Sequence, residues 1–159
     1  MESKKGKVVL ASGAFDLMHY GHVYYLTNAK KAGGENAKLV VVVARDKMIE
    51  RLKGNKPVIP EEQRRAVVEA LKVVDEAVLG YEDLDMAKVI AKVNPDIVAL
   101  GHDQKEIAEK LRKVIANENL NTQVVTIGKF EEKELDSSSK IKKKIIENYQ
   151  KNLREKLPS

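Results

Sequence analysis

The amino-acid sequence predicts an α/β protein with a single doubly wound domain: about five parallel strands with helices on both faces of the sheet. Short apolar runs alternate with amphipathic helical patterns along the chain, which is typical of βαβ units joined by right-handed crossovers. The apolar runs are rich in β-branched residues, as expected for strands buried on both faces. The length of 159 residues is that of one ordinary domain, so we predict a single domain over residues 1–159.

Five apolar runs are the predicted strands. The second run, residues 39–44, is the strongest because it contains four consecutive valines. The other four runs lie at residues 8–12, 77–79, 97–100 and 124–127. Each run is short enough for a strand and is followed by polar residues or glycine, which indicates where the strand ends.

Five helical patterns follow or separate these runs. Pro60 and the two acids after it favour a helix start, whereas Asn94 and Pro95 favour a helix end, as does the Gly33–Gly34 pair. The residues at helical spacing are Val23, Leu26 and Lys30; Val67, Val68 and Leu71; Met86, Val89, Ile90 and Val93; Ile107, Leu111, Val114 and Ile115; and Ile141, Ile145, Ile146, Tyr149 and Leu153.

The composition argues against several classes of function. The sequence has no cysteine, which excludes disulfides, thiolate metal sites and a cysteine nucleophile. The net charge of +5 suits an anionic small molecule, whereas 4% aromatic residues and interleaved acids are not typical of nucleic-acid binding. No apolar run approaches the roughly 18 residues that cross a bilayer, and no signal-like apolar core follows residues 1–6. We therefore expect a cytoplasmic protein that binds neither nucleic acid nor membranes.

The expected ligand site lies at the carboxyl ends of the strands, as in other open parallel sheets. Chemically capable side chains do follow each predicted strand. The segments concerned are residues 13–22, 45–47, 80–83, 101–104 and 128–139. We therefore predict one site that is assembled from several loops.

Two histidines three residues apart, His19 and His22, dominate the first of these segments. At a helix start this spacing places both imidazoles on one face, where they could meet the charge of a phosphate as cations. Free backbone N–H groups and the helix dipole favour an anion there, and Gly21 would allow close approach. The alternatives are a zinc site, which would need His102 and carboxylates as further ligands, or two surface histidines. Neither a P-loop nor a Gly-x-Gly-x-x-Gly motif is present.

Residues 13–22, Gly-Ala-Phe-Asp-Leu-Met-His-Tyr-Gly-His, resemble the signature of the HIGH-type, cytidylyltransferase-like nucleotidyltransferases. The resemblance implies a Rossmann-like fold and transfer of a nucleoside monophosphate unit to a phosphorylated acceptor. Ala14 stands where the family has threonine, which preserves a backbone contact and removes a hydroxyl. Further similar segments are residues 44–47, 53–65, 74–80, 101–104 and 137–141.

Two segments of the sequence resemble those of the archaeal-type FAD synthetases more than those of the cytidylyltransferases. The run Lys-Gly-Asn-Lys-Pro-Val-Ile-Pro-Glu-Glu-Gln-Arg-Arg and the Gly-His-Asp-Gln segment carry this similarity. It implies that ATP adenylates FMN to give FAD and pyrophosphate, with Mg²⁺ or another divalent cation, in a homodimer. The alternatives are CTP-dependent transfer to glycerol 3-phosphate, ATP-dependent transfer to phosphopantetheine, and a non-catalytic nucleotide- or flavin-binding module.

The resemblance also implies roles for particular residues. The expected catalytic residues are His19, His22, Lys56 and Arg64. The expected nucleotide-binding residues are Gly13, Ala14, Phe15, His19, Tyr20, Gly21, His22, Asp103, Ser137, Ser138 and Ser139. Asp103 would accept a hydrogen bond from the adenine amino group, and the three serines would hold triphosphate oxygens.

Several of these assignments have a structural alternative. Lys53 and Lys56 could simply be solvated. Asp16 could hold Mg²⁺, brace the site or only begin a turn or helix, and Asp46 could contact the acceptor or a metal. Asp103 and the serines could be helix caps. The lysines at 142–144 are interpreted as a solvated helix face. An arginine that cytidylyltransferases carry before the serine turn is absent from residues 131–134, so its contact is either missing or supplied by a lysine such as Lys129.

Overall fold

The computed structural model describes residues 5–83, 85–131 and 134–156. Five parallel strands form one sheet in the order β3-β2-β1-β4-β5. The strands are β1 (Val8–Gly13), β2 (Lys38–Val43), β3 (Glu76–Leu79), β4 (Ile97–Gly101) and β5 (Gln123–Ile127). The predicted fold class and all five predicted strands are therefore confirmed, with ends that differ by at most one residue.

Six helices accompany the sheet in the described part of the chain. They are α1 (Tyr20–Ala32), α2 (Asp46–Lys53), α3 (Glu61–Glu69), α4 (Met86–Val93), α5 (Lys105–Asn117) and α6 (Ser138–Lys156). Five were predicted, and Gly33 and Asn94 cap their helices as expected. Helix α2 was not predicted from the sequence, because it has eight residues and buries only Ile49. None of the described helices is long and apolar enough to cross a membrane.

The core has two layers, one on each face of the sheet. Alternating strand residues supply them, so that Val9 and Ala11 face one layer and Leu10 faces the other. Helices α1 and α3 cover the first layer, and α4 and α5 cover the second. This arrangement explains the β-branched, nearly continuous strands, because both faces of each central strand are buried.

Strands β1 and β4 separate at their carboxyl ends. Their pairing covers only Val9 to Ala11 on β1 and Ile97 to Ala99 on β4, although both strands continue beyond it. The Tyr25 hydroxyl spans the gap and donates to the carbonyl oxygen of Ala99 at 2.8 Å. The strand order reverses at this point, which is where doubly wound sheets bind ligands.

Helix α6 differs from the sequence expectation in its burial. Four of its apolar positions, Ile145, Ile146, Tyr149 and Leu153, are 46–64% exposed. With 19 residues the helix is about 28 Å long, whereas the five-residue strand before it spans about 17 Å. The helical spacing was correct, but the helix is too long for the sheet to cover its full length.

Candidate active site

An open cavity of about 1030 Å³ lies at the carboxyl ends of the strands. Segments that follow all five strands line it, as the sequence analysis predicted. The predicted site residues on its surface are Gly13, Ala14, Phe15, His19, Gly21, His22, Lys56, Asp103, Ser137, Ser138 and Ser139. Two predicted residues, Tyr20 and Arg64, lie elsewhere. The Tyr20 ring is 61% exposed and packs edge-on against Phe130, with ring centroids 4.9 Å apart.

The two histidines cap the amino end of α1 in a reciprocal arrangement. His19 precedes the helix, and its Nδ1 accepts a hydrogen bond from the Gly21 N–H at 3.1 Å. His22 lies one turn later, and its Nδ1 accepts from the His19 N–H at 3.2 Å. Both Nδ1 atoms are therefore acceptors, so each neutral imidazole carries its proton on Nε2. The sequence interpretation assumed that backbone N–H groups at this helix start are free to bind an anion. In the structure the N–H groups of His19 and Gly21 donate to the two imidazoles, and the Nε2–H groups remain as donors.

The environment of the histidines keeps them neutral. Burial, together with smaller effects of His19 and Lys53, lowers the pKa of His22 to about 4 against an opposing effect of Asp16. Burial also lowers the pKa of His19, and the Asp136 carboxylate partly opposes this. The two rings lie 3.9 Å apart between centroids, so two adjacent positive charges would repel. The expectation of cationic imidazoles is therefore corrected: near neutral pH the pair supplies neutral hydrogen-bond donors.

The segment between β1 and α1 has an unusual backbone. Phe15 and Leu17 both have positive φ angles, 54° and 46°, which residues other than glycine rarely adopt. The buried Phe15 ring lies beneath Gly13, where an added Cβ would come within 3.0 Å of it. An added Cβ on Gly21 would lie 2.8 Å from the His19 ring. Gly21 therefore makes room for the capping imidazole.

Asp16 joins three parts of the site. Its two carboxylate oxygens accept hydrogen bonds from the N–H groups of Val58 and Ile59, each at 2.9 Å. Lys142 of α6 forms an ion pair with it at 3.3 Å, and the Ser138 hydroxyl donates to its carbonyl oxygen. Burial acts to raise the pKa of Asp16, but these N–H groups and the Lys142 ammonium outweigh it and lower the pKa below its usual value. These contacts correspond to the bracing alternative of the sequence analysis.

Arg64 lies in the interior beneath the site. Its side chain is 1% exposed and donates to the carbonyl oxygens of Ile59, Ala14 and Ala44. It also pairs with Asp46 at 2.7 Å. Contact with a substrate phosphate would require this network to break. The structure therefore corrects the expectation that Arg64 touches the substrate. Asp46 belongs to the same network, because its carboxylate pairs with Arg64.

The serine turn begins α6 at the cavity edge. Ser137 is its cap, because its Oγ accepts from the Lys140 N–H at 3.3 Å. The neighbouring Asp136 side chain is 4% exposed and pairs with Lys129 at 3.0 Å and with Lys140 at 2.6 Å. These two ammonium groups lower the pKa of Asp136 to about 2. Lys129 thus lies at the cavity edge beside the serines, while Glu132 and Lys133 of the arginine-free stretch lie outside the described residues.

Lysines from two parts of the chain lie on the cavity wall. The 142–144 run was interpreted as a solvated helix face, and the Lys143 side chain is 78% exposed as expected, but Lys142 and Lys143 also line the cavity. They lie one helical turn after the serines, and this spacing from a candidate phosphate site was the available signal. Lys53 and Lys56 face the same space from the loop after α2. Lysines therefore border the cavity from two sides.

One flank of the cavity is apolar. Met48 and Leu52 of α2 line it, together with Tyr81 after β3 and Met86 of α4. Met48 and Leu52 were not predicted as site residues because α2 was not predicted, and Met86 was predicted only as part of a helix. Flexible methionines and an exposed leucine can accept a flat apolar ring.

The segment after β4 supplies polar groups between the histidine segment, which follows β1, and the serine turn, which follows β5. Gln104 precedes α5, and its Oε1 accepts the Gly101 N–H at 2.8 Å. Asp103 Oδ1 also lies beside Gly101, within 2.9 Å of the position that a Cβ would occupy. Asp103 was considered as the helix cap, but Gln104 occupies that position and Asp103 stays exposed in the cavity.

No group of three or more histidines, aspartates and glutamates that could hold a metal ion occurs in the described ranges. Asp16 and Asp46 do not fit a protein-held cation, because backbone N–H groups, Lys142 or Arg64 already occupy their carboxylates. The described residues therefore do not form a protein cage for a divalent cation.

Comparisons with known proteins agree with this geometry. A family model described as cytidylyltransferase-like matches residues 10–144. FAD synthase of Methanobrevibacter smithii is 48% identical over 139 residues, which is 87% of this chain and 90% of that protein. FAD synthase of Archaeoglobus fulgidus is 47% identical over 140 residues, or 88% of this chain and 98% of that protein.

Solved structures give the same result at the level of the fold. The crystal structure of a lipopolysaccharide core biosynthesis protein from Thermoplasma volcanium is 42% identical, with a TM-score of 0.71 over 79% of this chain and 99% of that one. Pantothenate synthetase from Thermus thermophilus is 13% identical, with a TM-score of 0.57 over 82% of this chain and 58% of that one, and shares the fold alone. With the family model covering most of the chain and relatives near half identity, the protein belongs to the cytidylyltransferase-like family.

Proposed function

We propose that the protein is an FMN adenylyltransferase, which joins AMP from ATP to FMN and gives FAD and pyrophosphate. The observation that carries this proposal is the 45–49% identity, over most of the chain, to archaeal proteins named FAD synthase. The paired histidines at the start of α1 support nucleotidyl transfer, and the apolar flank suits the flat ring system of a flavin.

In the proposed reaction a phosphate oxygen of FMN attacks the α-phosphorus of ATP in line. The bond between this phosphorus and the bridging oxygen to the β-phosphate breaks, and pyrophosphate leaves with the electron pair. No protein nucleophile is needed, because transfer between phosphates depends on positioning and on charge stabilisation. This suits a chain without cysteine whose cavity is bordered by lysines.

Each group of the site has a proposed role. The Nε2–H groups of His19 and His22 donate to phosphate oxygens, and their donation strengthens as charge accumulates in the transition state. Lys56 and Lys129 supply positive charge from opposite sides, and Ser137 to Ser139 border the triphosphate. Arg64 acts as a positioning residue by fixing the Ala14 and Ala44 carbonyl groups.

Three further expectations belong to this proposal. A divalent cation would be held mainly by the nucleotide phosphates, as is usual for Mg²⁺ in nucleotide reactions. We also propose that the protein is cytoplasmic and that two copies associate, which sedimentation velocity can test. The single-domain boundaries at 1–159 would be tested by one cooperative unfolding transition.

The proposal is tested by supplying the purified protein with ATP or CTP and with FMN, glycerol 3-phosphate or phosphopantetheine. We expect pyrophosphate release and an equal amount of FAD only with ATP and FMN. Release with CTP and glycerol 3-phosphate would replace this assignment with a cytidylyltransferase. Binding of ATP or FMN without any pyrophosphate would instead indicate a non-catalytic module.

A further inference from the structure

We propose that Gln104 reads the nucleobase, with its amide N–H donating to a ring nitrogen of adenine next to the amino group. This rests on the proposed function only in taking ATP as the nucleotide. The glutamine follows β4 and lines the cavity beside Asp103.

The orientation of the Gln104 amide is set by the backbone N–H of Gly101, three residues earlier. Oε1 accepts the Gly101 N–H at 2.8 Å, and only the oxygen end of an amide can accept. The NH₂ end must therefore point away from Gly101. Among the described residues no protein acceptor takes it, and the residue lines the cavity. A donor of fixed direction is thus offered to a ligand.

The sheet order places this donor beside the triphosphate. β4 lies between β1, which leads to the histidines, and β5, which leads to the serine turn. A triphosphate that contacts the starts of both α1 and α6 would therefore cross the β4 loop. The base attached to it would fall within reach of that loop. The apolar flank after β2 and β3 is left for the acceptor.

Together with Asp103, Gln104 forms a hydrogen-bonding pattern of one acceptor and one donor. Asp103 Oδ1 and Gln104 Oε1 both lie around Gly101, at 2.9 Å and 3.5 Å from the position of an added Cβ. Adenine presents the complementary pattern, an amino group beside an unprotonated ring nitrogen. Uracil, and guanine on the edge that carries N1, present a carbonyl beside a ring N–H, so that acceptor would face acceptor and donor would face donor. On the N7 edge of guanine, the carbonyl oxygen would still face the Asp103 carboxylate. Cytosine shares the adenine pattern, so this pair selects against GTP and UTP.

The test measures nucleotide affinity by calorimetry on the full chain without an acceptor, using ATP, 1-deaza-ATP and 7-deaza-ATP. Each analogue replaces one ring nitrogen with a C–H group. We expect one of them to bind about tenfold more weakly than ATP, the effect of one hydrogen bond. In Gln104→Leu, ATP should weaken by a similar factor and the difference between ATP and that analogue should disappear.

A second variant separates the loss of the amide donor from a change in the conformation of the loop. Gln104→Glu keeps an oxygen for the Gly101 N–H but replaces the donor with a negative acceptor, and it should bind ATP more weakly than Gln104→Leu does. Gln123→Glu is the matched control, since Gln123 is exposed at the opposite end of the sheet, and its affinities should equal those of the unaltered protein.

Equal binding of ATP and both analogues by the unaltered protein overturns the proposal. So does a preference for ATP over an analogue that persists in both Gln104 variants. Because no acceptor is present, these results are independent of FAD formation. Failure to release pyrophosphate with ATP and FMN would contradict the proposed function and leave the assignment of Gln104 to be decided by the binding data.

Discussion

At the residue scale, His19 and His22 each have a structural and a chemical role on different atoms. Nδ1 of each ring caps the start of α1, and Nε2–H is left as a donor towards the cavity. A substitution by alanine removes both roles at once. Asparagine keeps an oxygen near the position of Nδ1 and lacks a group at Nε2, so it separates them.

We therefore predict that His22→Asn loses about 10²–10³ in turnover, while its free energy of unfolding stays close to that of the unaltered protein. His22→Ala should lose the same activity and, in addition, about 1 kcal/mol of stability from the lost cap. Pyrophosphate release and urea unfolding provide the two measurements. An asparagine variant that retains full turnover would remove His22 from the proposed mechanism.

Adjacent arginines provide a second comparison at this scale. Arg64 is buried and serves three carbonyl oxygens and Asp46, whereas Arg65 pairs with Glu62 and Glu69 on the surface of α3. We predict that Arg64→Ala lowers the free energy of unfolding by about 3 kcal/mol, because buried acceptors lose their donor. Arg65→Ala is the control and should change stability little, since surface ion pairs contribute little. Equal effects in urea unfolding would contradict this.

At the scale of elements, Asp16 links the β1–α1 segment, the loop at residues 54–60 and helix α6. These three parts carry the histidines, Lys56 and the serine turn. The Asp16 carboxylate contacts both of the other parts, while Arg64 also joins Ala14 to Ile59 and the Ser138 hydroxyl also reaches the Asp16 carbonyl oxygen.

We predict that Asp16→Ala loosens the loop at residues 54–60, because two backbone N–H groups lose their acceptor. Trypsin should then cut faster after Lys53, and the KM for ATP should rise about tenfold while far-UV circular dichroism is retained. Glu155→Ala is the control, because Glu155 lies outside the cavity lining and forms an exposed ion pair with Lys151 near the end of α6. Unchanged cleavage after Lys53 would show that Asp16 does not hold the loop.

At the scale of the whole molecule, pH acts on stability through groups of the site. The pKa of His22 falls from 6.5 to about 4 on folding, so the unfolded chain binds the proton more tightly. Stability is therefore full above the unfolded value and declines as pH falls from about 6.5 to about 4. The lowered pKa values of Asp16 and Asp136 give a further decline at lower pH, where these carboxylates become protonated.

We predict that urea midpoints fall between pH 7 and pH 4.5 and that this fall is smaller in His22→Asn, which has no titrating imidazole. The activity profile should show no loss on raising pH through the usual histidine range, because neutral imidazoles are the functional form. An unchanged pH dependence of stability in the variant would contradict the burial of His22.

Most of the fold was predictable from local patterns. Buried parallel strands require the β-branched runs such as residues 39–44, and helices such as α4 end where Asn94 and Pro95 stop them. Helix α2 was not predictable in this way, because it is short and buries one residue. The exposure of α6 was not predictable either, since the spacing of apolar residues does not show how far the sheet extends.

The sequence predicted which loops form the candidate site, but it predicted the roles of individual residues only in part. The rule that ligands bind at the carboxyl ends of parallel strands located the correct segments. Apart from the bond between Arg64 and the nearby Ile59, the roles of Arg64, Asp16 and Lys142 depend on partners 18 to 126 residues away in sequence.

The sequence by itself determined the alternation of strands and helices, the paired histidines and the resemblance to nucleotidyltransferases, because these depend on local spacing. Only the tertiary structure decided which nitrogen of each imidazole faces the cavity, that Arg64 is buried, and that the Gln104 amide is turned outward. The hydrogen bonds that orient the imidazoles and the Gln104 amide join residues two or three positions apart, but they depend on side-chain orientation, which apolar spacing does not reveal. The burial of Arg64 requires partners up to 50 residues away, which meet only in the folded chain.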